Sequence, residues 1–142
     1  PGCGVGGHCI AVDPWFIVHI ANGKARLMET AREVNNSKPH WVVDKVKAAA
    51  GKLREPVIAC FGAAYKPDID DLRESPAVEI IQELQRADVG RVIVVEPNIE
   101  ELGDSELVDM NQALEQADVL VFLVGHSPFM ELSGSQLAEK NY

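Results

Sequence analysis

The sequence predicts an α/β fold in which a long helix precedes a doubly wound, mostly parallel sheet. Three continuous apolar runs carry this reading: Val57 to Phe61, Val92 to Val95 and Val119 to Val124. Unbroken apolar strands belong to parallel sheets covered on both faces, because neither side of the strand meets water. Segments with helix-start chemistry separate the runs, and a helical apolar pattern lies ahead of them.

In chain order, the first element is a glycine-packed loop with Gly2, Gly4, Gly6 and Gly7 ahead of Cys9, and Asp13 follows the cysteine by four residues. Glycines let the backbone take positive φ and approach a ligand closely, so such a loop can fold around an anionic or sugar group with a nucleophilic thiol at its edge. A tight turn around a buried cysteine is the competing reading. Gly2, Gly4 and Gly7 also satisfy G-x-G-x-x-G, but no strand precedes them and Asp13-Pro14 interrupts the helix that a dinucleotide site requires. His8 reads as structural, since a neighbour of the nucleophile points elsewhere. Ile10, Ala11, Trp15 and Phe16 read as residues packed under the loop.

From Ala25 to Leu53 apolar residues recur at helical spacing, interrupted near Pro39, which predicts one long bent helix or two in line. Its apolar face predicts packing against another domain or a second copy of the chain. After Val57 to Phe61 and Gly62 comes a long polar loop, then Ser75-Pro76, an N-cap followed by proline at the first helical position, with the helix running to about Asp88. Val92 to Val95 ends at Glu96, an acid placed as in a ribose-binding half-fold, but the Ala63 to Glu74 loop is far too long for the tight glycine turn over a pyrophosphate, so this edge of the sheet reads as binding something else. Asp109 and Gln112 form a candidate capping box before Val119 to Val124. The result is a Rossmann-like order, with a domain division at 1–54 and 55–142.

The loop Tyr65 to Ser75 lies at a strand's carboxyl end and a helix N-terminus, where open α/β sheets bind ligands. Lys66 and Arg73 are candidate phosphate donors. Asp68, Asp70 and Asp71 read as acids paired with those cations rather than as a metal site, so no metal is expected.

Composition narrows the partners. A net charge of −9 repels polyanions and disfavours nucleic acid. Cys3, Cys9 and Cys60 are odd in number and unevenly placed, so no disulfide framework is expected and the chain reads as cytoplasmic. No apolar run reaches membrane-spanning length. Pro1, in place of an initiator methionine, predicts a fragment.

Gly4-Val5-Gly6-Gly7-His8-Cys9-Ile10 with Asp13-Pro14, then Phe61-Gly62-Ala63-Ala64-Tyr65-Lys66-Pro67 and Asp71-Leu72-Arg73-Glu74-Ser75-Pro76, resembles the UDP-glucose/GDP-mannose dehydrogenase family across essentially the whole chain. The resemblance implies an NAD-dependent, two-step oxidation of a UDP-sugar at C6, with Cys9 as nucleophile and Asp13 positioning or activating water. It implies that Gly4, Val5, Gly6, Gly7, Tyr65 and Lys66 bind the UDP-sugar and that Arg73 reaches toward NAD. It further implies a homodimer through the central helix, and a chain truncated at both ends, lacking the NAD fingerprint and a catalytic lysine. Residues 1–17 are most similar to the branch acting on UDP-N-acetyl-D-mannosamine. UDP-glucose or UDP-N-acetylglucosamine oxidation, and a non-catalytic sugar-nucleotide-binding or dimerisation module, are the alternatives.

Overall fold

Pro39 does not split the long helix. In the computed structural model, which describes residues 2–134 and 137, α2 runs unbroken over Arg26–Ala50, preceded by a short α1 at Asp13–Ile20. The Ser37 hydroxyl donates to the Val34 carbonyl at 2.8 Å, in the turn where the proline removes a backbone donor. The buried residues Arg32, Pro39, Val43, Val46 and Ala50 form a single stripe, and it is this stripe that packs the helix inward.

The strands are β1 Val57–Phe61, β2 Arg91–Val95, β3 Glu106–Leu107 and β4 Val119–Phe122, all parallel, in the order β3-β2-β1-β4. Helices α3 Pro76–Arg86, α4 Met110–Gln116 and α5 Ser127–Met130 complete the order. Alternation along the pleat divides the side chains between two cores. Ile58, Cys60, Val92 and Val94 face Val43, Val46 and Ala50 of α2 and Ile80, Ile81 and Leu84 of α3. Ala59, Phe61, Ile93 and Val95 face Ala113, Ala117 and Phe129 on the other side, where Phe61 stacks on Phe122 at 4.5 Å. Both faces are therefore covered at β1 and β2, as their apolar runs predict, whereas β4 is only partly buried and Phe122 is exposed. The burial of Cys60 pushes its thiol up to about 12.

The chain leaves β1 toward β2 on one side and returns to β4 on the other, so the order reverses between β1 and β4. Ligand crevices form outside the carboxyl ends of strands at such a reversal. Gly62 makes the exit possible: its φ is +92°, and a Cβ there would sit 2.5 Å from Val124 Cβ.

Several boundaries differ from the sequence reading. Helix α1 begins at Asp13, with Pro14 in its first turn, where a missing N–H is tolerated, so Asp13-Pro14 opens a helix rather than interrupting one. Ile10 is 62% exposed and Phe16 64% exposed, and α1 buries none of its residues, so these side chains are not packed under the loop; Ala11 is buried. Strand β4 stops at Phe122 because the amides of Leu123 and Val124 both turn onto the Phe61 carbonyl, at 2.9 and 3.2 Å. Helix α3 ends at Arg86, two residues early, and the two-residue β3 is too short to leave a sequence pattern. Among the described residues no helix is long and apolar enough to cross a membrane.

Ser75 closes the long loop on itself. Its hydroxyl donates to the Ala63 carbonyl at 2.6 Å and accepts the Val78 amide at 3.5 Å, tying the loop's end to its beginning while capping α3. Ser75→Ala removes both contacts from a buried position, and a loss of about 1–2 kcal/mol is expected in urea unfolding.

Candidate functional site

The site is built from two loops that the sequence keeps far apart. The first, residues 62–75, leaves β1 and is anchored from below by Glu96 at the end of β2. Oε2 of Glu96 accepts the amides of Ala63 at 2.7 Å and Ala64 at 3.1 Å, and the Nε2–H of His126 at 3.0 Å. Oε1 accepts from the backbone and side-chain nitrogens of Asn98 at 3.1 and 3.2 Å. Every partner donates, which suits an ionised carboxylate with no donor of its own. Glu96 holds the place of a ribose-binding acid, a role that the long 63–74 loop argues against. The structure agrees: the side chain is completely buried and both oxygens are committed to protein donors.

His126 carries the anchoring forward. A backbone N–H can only donate, so the Asp68 amide at 2.9 Å makes Nδ1 the acceptor and leaves the hydrogen on Nε2. The Asp68 carboxylate accepts the amide and hydroxyl of Ser127 at 2.8 and 2.7 Å, contacts that hold it below the usual carboxylate range. Asp68 thus pairs with Ser127 rather than with Lys66 or Arg73, correcting part of the expected acid–base pairing. Asp71 does pair with Arg73: Oδ1 accepts Nε at 2.9 Å and Oδ2 accepts Nη2 at 2.6 Å. The guanidinium pulls the Asp71 carboxyl down to about 2. Lys66 is exposed, with no hydrogen-bond or ion-pair partner among the described residues.

The second loop, Gly4 to Cys9, sits on the first. A Cβ on Gly6 would lie 2.2 Å from the Glu74 carbonyl oxygen, and one on Gly7 would lie 3.0 Å from the Tyr65 ring. Gly4, at φ +147°, passes equally close to Pro76. The glycines therefore serve contact between the two loops, and any side chain at Gly6 would separate them. From α2, Asn35 holds both backbone groups of Val5, donating to its carbonyl at 3.2 Å and accepting its amide at 2.8 Å.

Cys9 is exposed beyond this seat, so the buried-cysteine reading does not hold. Its carbonyl accepts the amides of Val12 at 3.1 Å and Asp13 at 2.8 Å, placing Asp13 one helical turn away. The Arg73 guanidinium, raised chiefly by its bond to Asp71, lies within electrostatic reach of Tyr65 and Cys9. The structure therefore gathers Cys9, Tyr65, Asp71 and Arg73 at one edge of the sheet, with the exposed His8 close enough to influence Asp71. Asn35, Asn98, His126 and Ser127 were not singled out from the sequence. A polar residue just beyond a parallel strand, as His126 is, was the available signal.

An open α/β sheet with a shaped loop at its reversal point and an accessible thiol beside it is the arrangement of a nucleotide-binding enzyme domain. Residues 59–141 match the UDP binding domain of the UDP-glucose/GDP-mannose dehydrogenase family, and residues 1–37 match that family's central domain. The chain belongs to this family. It is 65% identical over 96 residues, 68% of this chain, to an NDP-N-acetyl-D-galactosaminuronic acid dehydrogenase of Ralstonia nicotianae, covering 23% of that protein. It is 60% identical over 104 residues, again 68% of this chain, to a UDP-N-acetyl-D-mannosamine dehydrogenase of Salmonella typhi, covering 25% of it. The solved UDP-N-acetyl-mannosamine dehydrogenase of Staphylococcus aureus superposes with a TM-score of 0.82 at 42% identity, over 96% of this chain and 32% of that one. The chain thus spans about a quarter of the length of these curated relatives.

The depressed Asp71 value gives a test of the loop's geometry. A carboxyl lowered in the folded state contributes stability above its ordinary value of 3.8, and loses it as pH falls through about 2. In Arg73→Ala the Asp71 carboxyl should titrate back near its ordinary value, read from side-chain carboxyl resonances in an NMR pH titration.

Proposed function

We propose that the full-length protein is an NAD-dependent nucleotide-sugar 6-dehydrogenase oxidising UDP-N-acetyl-D-mannosamine to UDP-N-acetyl-D-mannosaminuronate. The observation that carries the reading is the seating of the Cys9 loop on the Tyr65–Glu74 loop, which sets an exposed thiol beside a candidate nucleotide crevice. In this reading residues 1–54 supply the catalytic cysteine loop and the central helix. Residues 55–142 supply the UDP-sugar domain.

Gly4, Val5, Gly6, Gly7, Tyr65 and Lys66 bind the UDP-sugar, with Lys66 placing a free ammonium on the diphosphate. Loss of a first hydride from C6 and of the hydroxyl proton turns the alcohol into an aldehyde; the Cys9 thiolate adds to the aldehyde carbon, and the carbonyl oxygen takes a proton to give a thiohemiacetal that retains the intermediate. Loss of a second hydride from that carbon and of the hydroxyl proton leaves a thioester. Water positioned by Asp13 then adds to the thioester, breaks its C–S bond, and releases the carboxylate and the thiol.

NAD supplies the hydride acceptor when bound. The glycine loop of this chain does not fit a dinucleotide cradle: Glu74 and Tyr65 occupy the space over Gly6 and Gly7. What the chain offers NAD is Arg73, whose Nη1 has no hydrogen-bond partner among the described residues. The exposed Leu27, Val34 and Trp41 of α2 support a homodimer through the central helix, in a cytoplasmic enzyme. A second reading, oxidation of an N-acetylgalactosamine nucleotide, is favoured by the 65% identity to the Ralstonia protein. Assay of full-length protein with a panel of UDP-sugars separates the two.

Full-length Cys9→Ala should lose acid formation while keeping UDP-sugar affinity, and Cys9→Ser should be severely slowed; near-normal turnover of Cys9→Ala would remove the thiol from the mechanism. Lys66→Ala should weaken UDP-sugar binding roughly ten- to a hundredfold with NAD binding nearly unchanged. Arg73→Ala should show the reverse preference. Calorimetric titration of both ligands into each variant reads both results, and equal losses everywhere would mean that the loop has unfolded.

A further inference from the structure

Lys66 lies between two fixed points. The Ala64 amide is held by Glu96 at 3.1 Å and the Asp68 amide by His126 at 2.9 Å, leaving only Tyr65, Lys66 and Pro67 between them. Pro67 fixes its own φ. Asp68 takes the left-handed φ of +59°, a conformation that a non-glycine residue keeps only when its surroundings impose it; here Ser127 and His126 do so. The side chains of Glu96 and His126 are both 0% exposed, so neither reaches a ligand, and whatever they contribute passes through the loop.

We propose that Glu96 and His126 form a positioning pair that presents Lys66 to the diphosphate of the sugar nucleotide, an inference that rests on the nucleotide-sugar reading of this loop. The pair fixes the backbone on both sides of Lys66 and leaves its ammonium unpaired. The ordering cost of the loop is met in folding rather than in binding. Because Glu96 faces donors only, Glu96→Gln turns an amide NH2 toward at least one of them and breaks the anchor without changing the side chain's size.

The test uses full-length protein, with UDP as the binding probe and steady-state kinetics beside it. His126→Phe keeps an aromatic ring against Phe129, whose edge contact is at 5.4 Å, and removes both nitrogens. It should raise the Kd for UDP and the KM for the sugar nucleotide about tenfold with kcat within about twofold. His126→Gln, which restores a donor toward Glu96, should recover part of the loss. A purely structural role would lower kcat through loss of active enzyme and leave KM unchanged, overturning the proposal. In a Lys66→Ala background His126→Phe should add little to Kd, since the two act through one contact; full additivity would also overturn it. If His126→Phe does not fold, Asn98→Ala carries the test. It removes donors to both Glu96 and His126, and a rise of about threefold in KM is expected, with an unchanged KM counting against the pair. Unchanged UDP affinity in Lys66→Ala would sink the nucleotide reading of the loop. A loss in Lys66→Ala with wild-type affinity in His126→Phe would sink the positioning pair alone.

Discussion

A buried carboxylate surrounded entirely by donors organises this domain. Glu96 follows β2 beneath the crevice, with five nitrogens on its two oxygens. Burying a charge costs several kcal/mol unless hydrogen bonds replace its hydration, and here they do so in full. The arrangement ties the end of β2 to the start of the β1–α3 loop and, through His126, to the turn after β4. Three strands of the parallel sheet thus share one polar anchor at the edge where a ligand would sit.

The second constraint is steric. The Cys9 loop approaches the anchored loop so closely that Gly6 has no room for a methyl group against the Glu74 carbonyl. Glu74 itself has a φ of +51°, and Asp68 at the other side of the loop is also left-handed. Local strain of this kind persists where the surroundings determine the backbone. Here the surroundings are Ser75 closing the loop on Ala63, Asn35 holding Val5 from α2, and Glu96 below. The thiol of Cys9 lies outside this frame and is exposed.

The helices that precede the sheet carry exposed apolar surface. Helix α1 presents Trp15, Phe16, Ile17 and Ile20 to solvent, and α2 presents Leu27, Val34 and Trp41. Arg32, 9% exposed on α2, bonds Asn36 through Nη2 while its Nε has no partner among the described residues. These features lie on the elements that precede the sheet, in a chain spanning about a quarter of its curated relatives.

The sequence by itself determined three of the four strands, because unbroken apolar runs such as Val57 to Phe61 have a physical meaning that depends on no distant residue, while the two-residue β3 left no such run. It determined the caps for the same reason: Ser75-Pro76 and the Asp109/Gln112 box act within one turn, and both are formed. It also supplied the candidate residues Cys9, Asp13, Tyr65, Lys66 and Arg73 through two motifs. It did not determine what those residues touch. Pro39 could have divided the helix, and only the packing of the Arg32–Ala50 stripe on the sheet decided that it does not. Glu96 stood at a strand end with no partner legible in the chain, and Asp68 read as a partner of nearby cations. Tertiary structure turned the first onto two amides and a histidine thirty residues away, and the second onto Ser127. Hydrogen bonds across such separations leave no periodicity in the chain, so the sequence could name the ends of the strands, and only the fold could say which polar groups meet there.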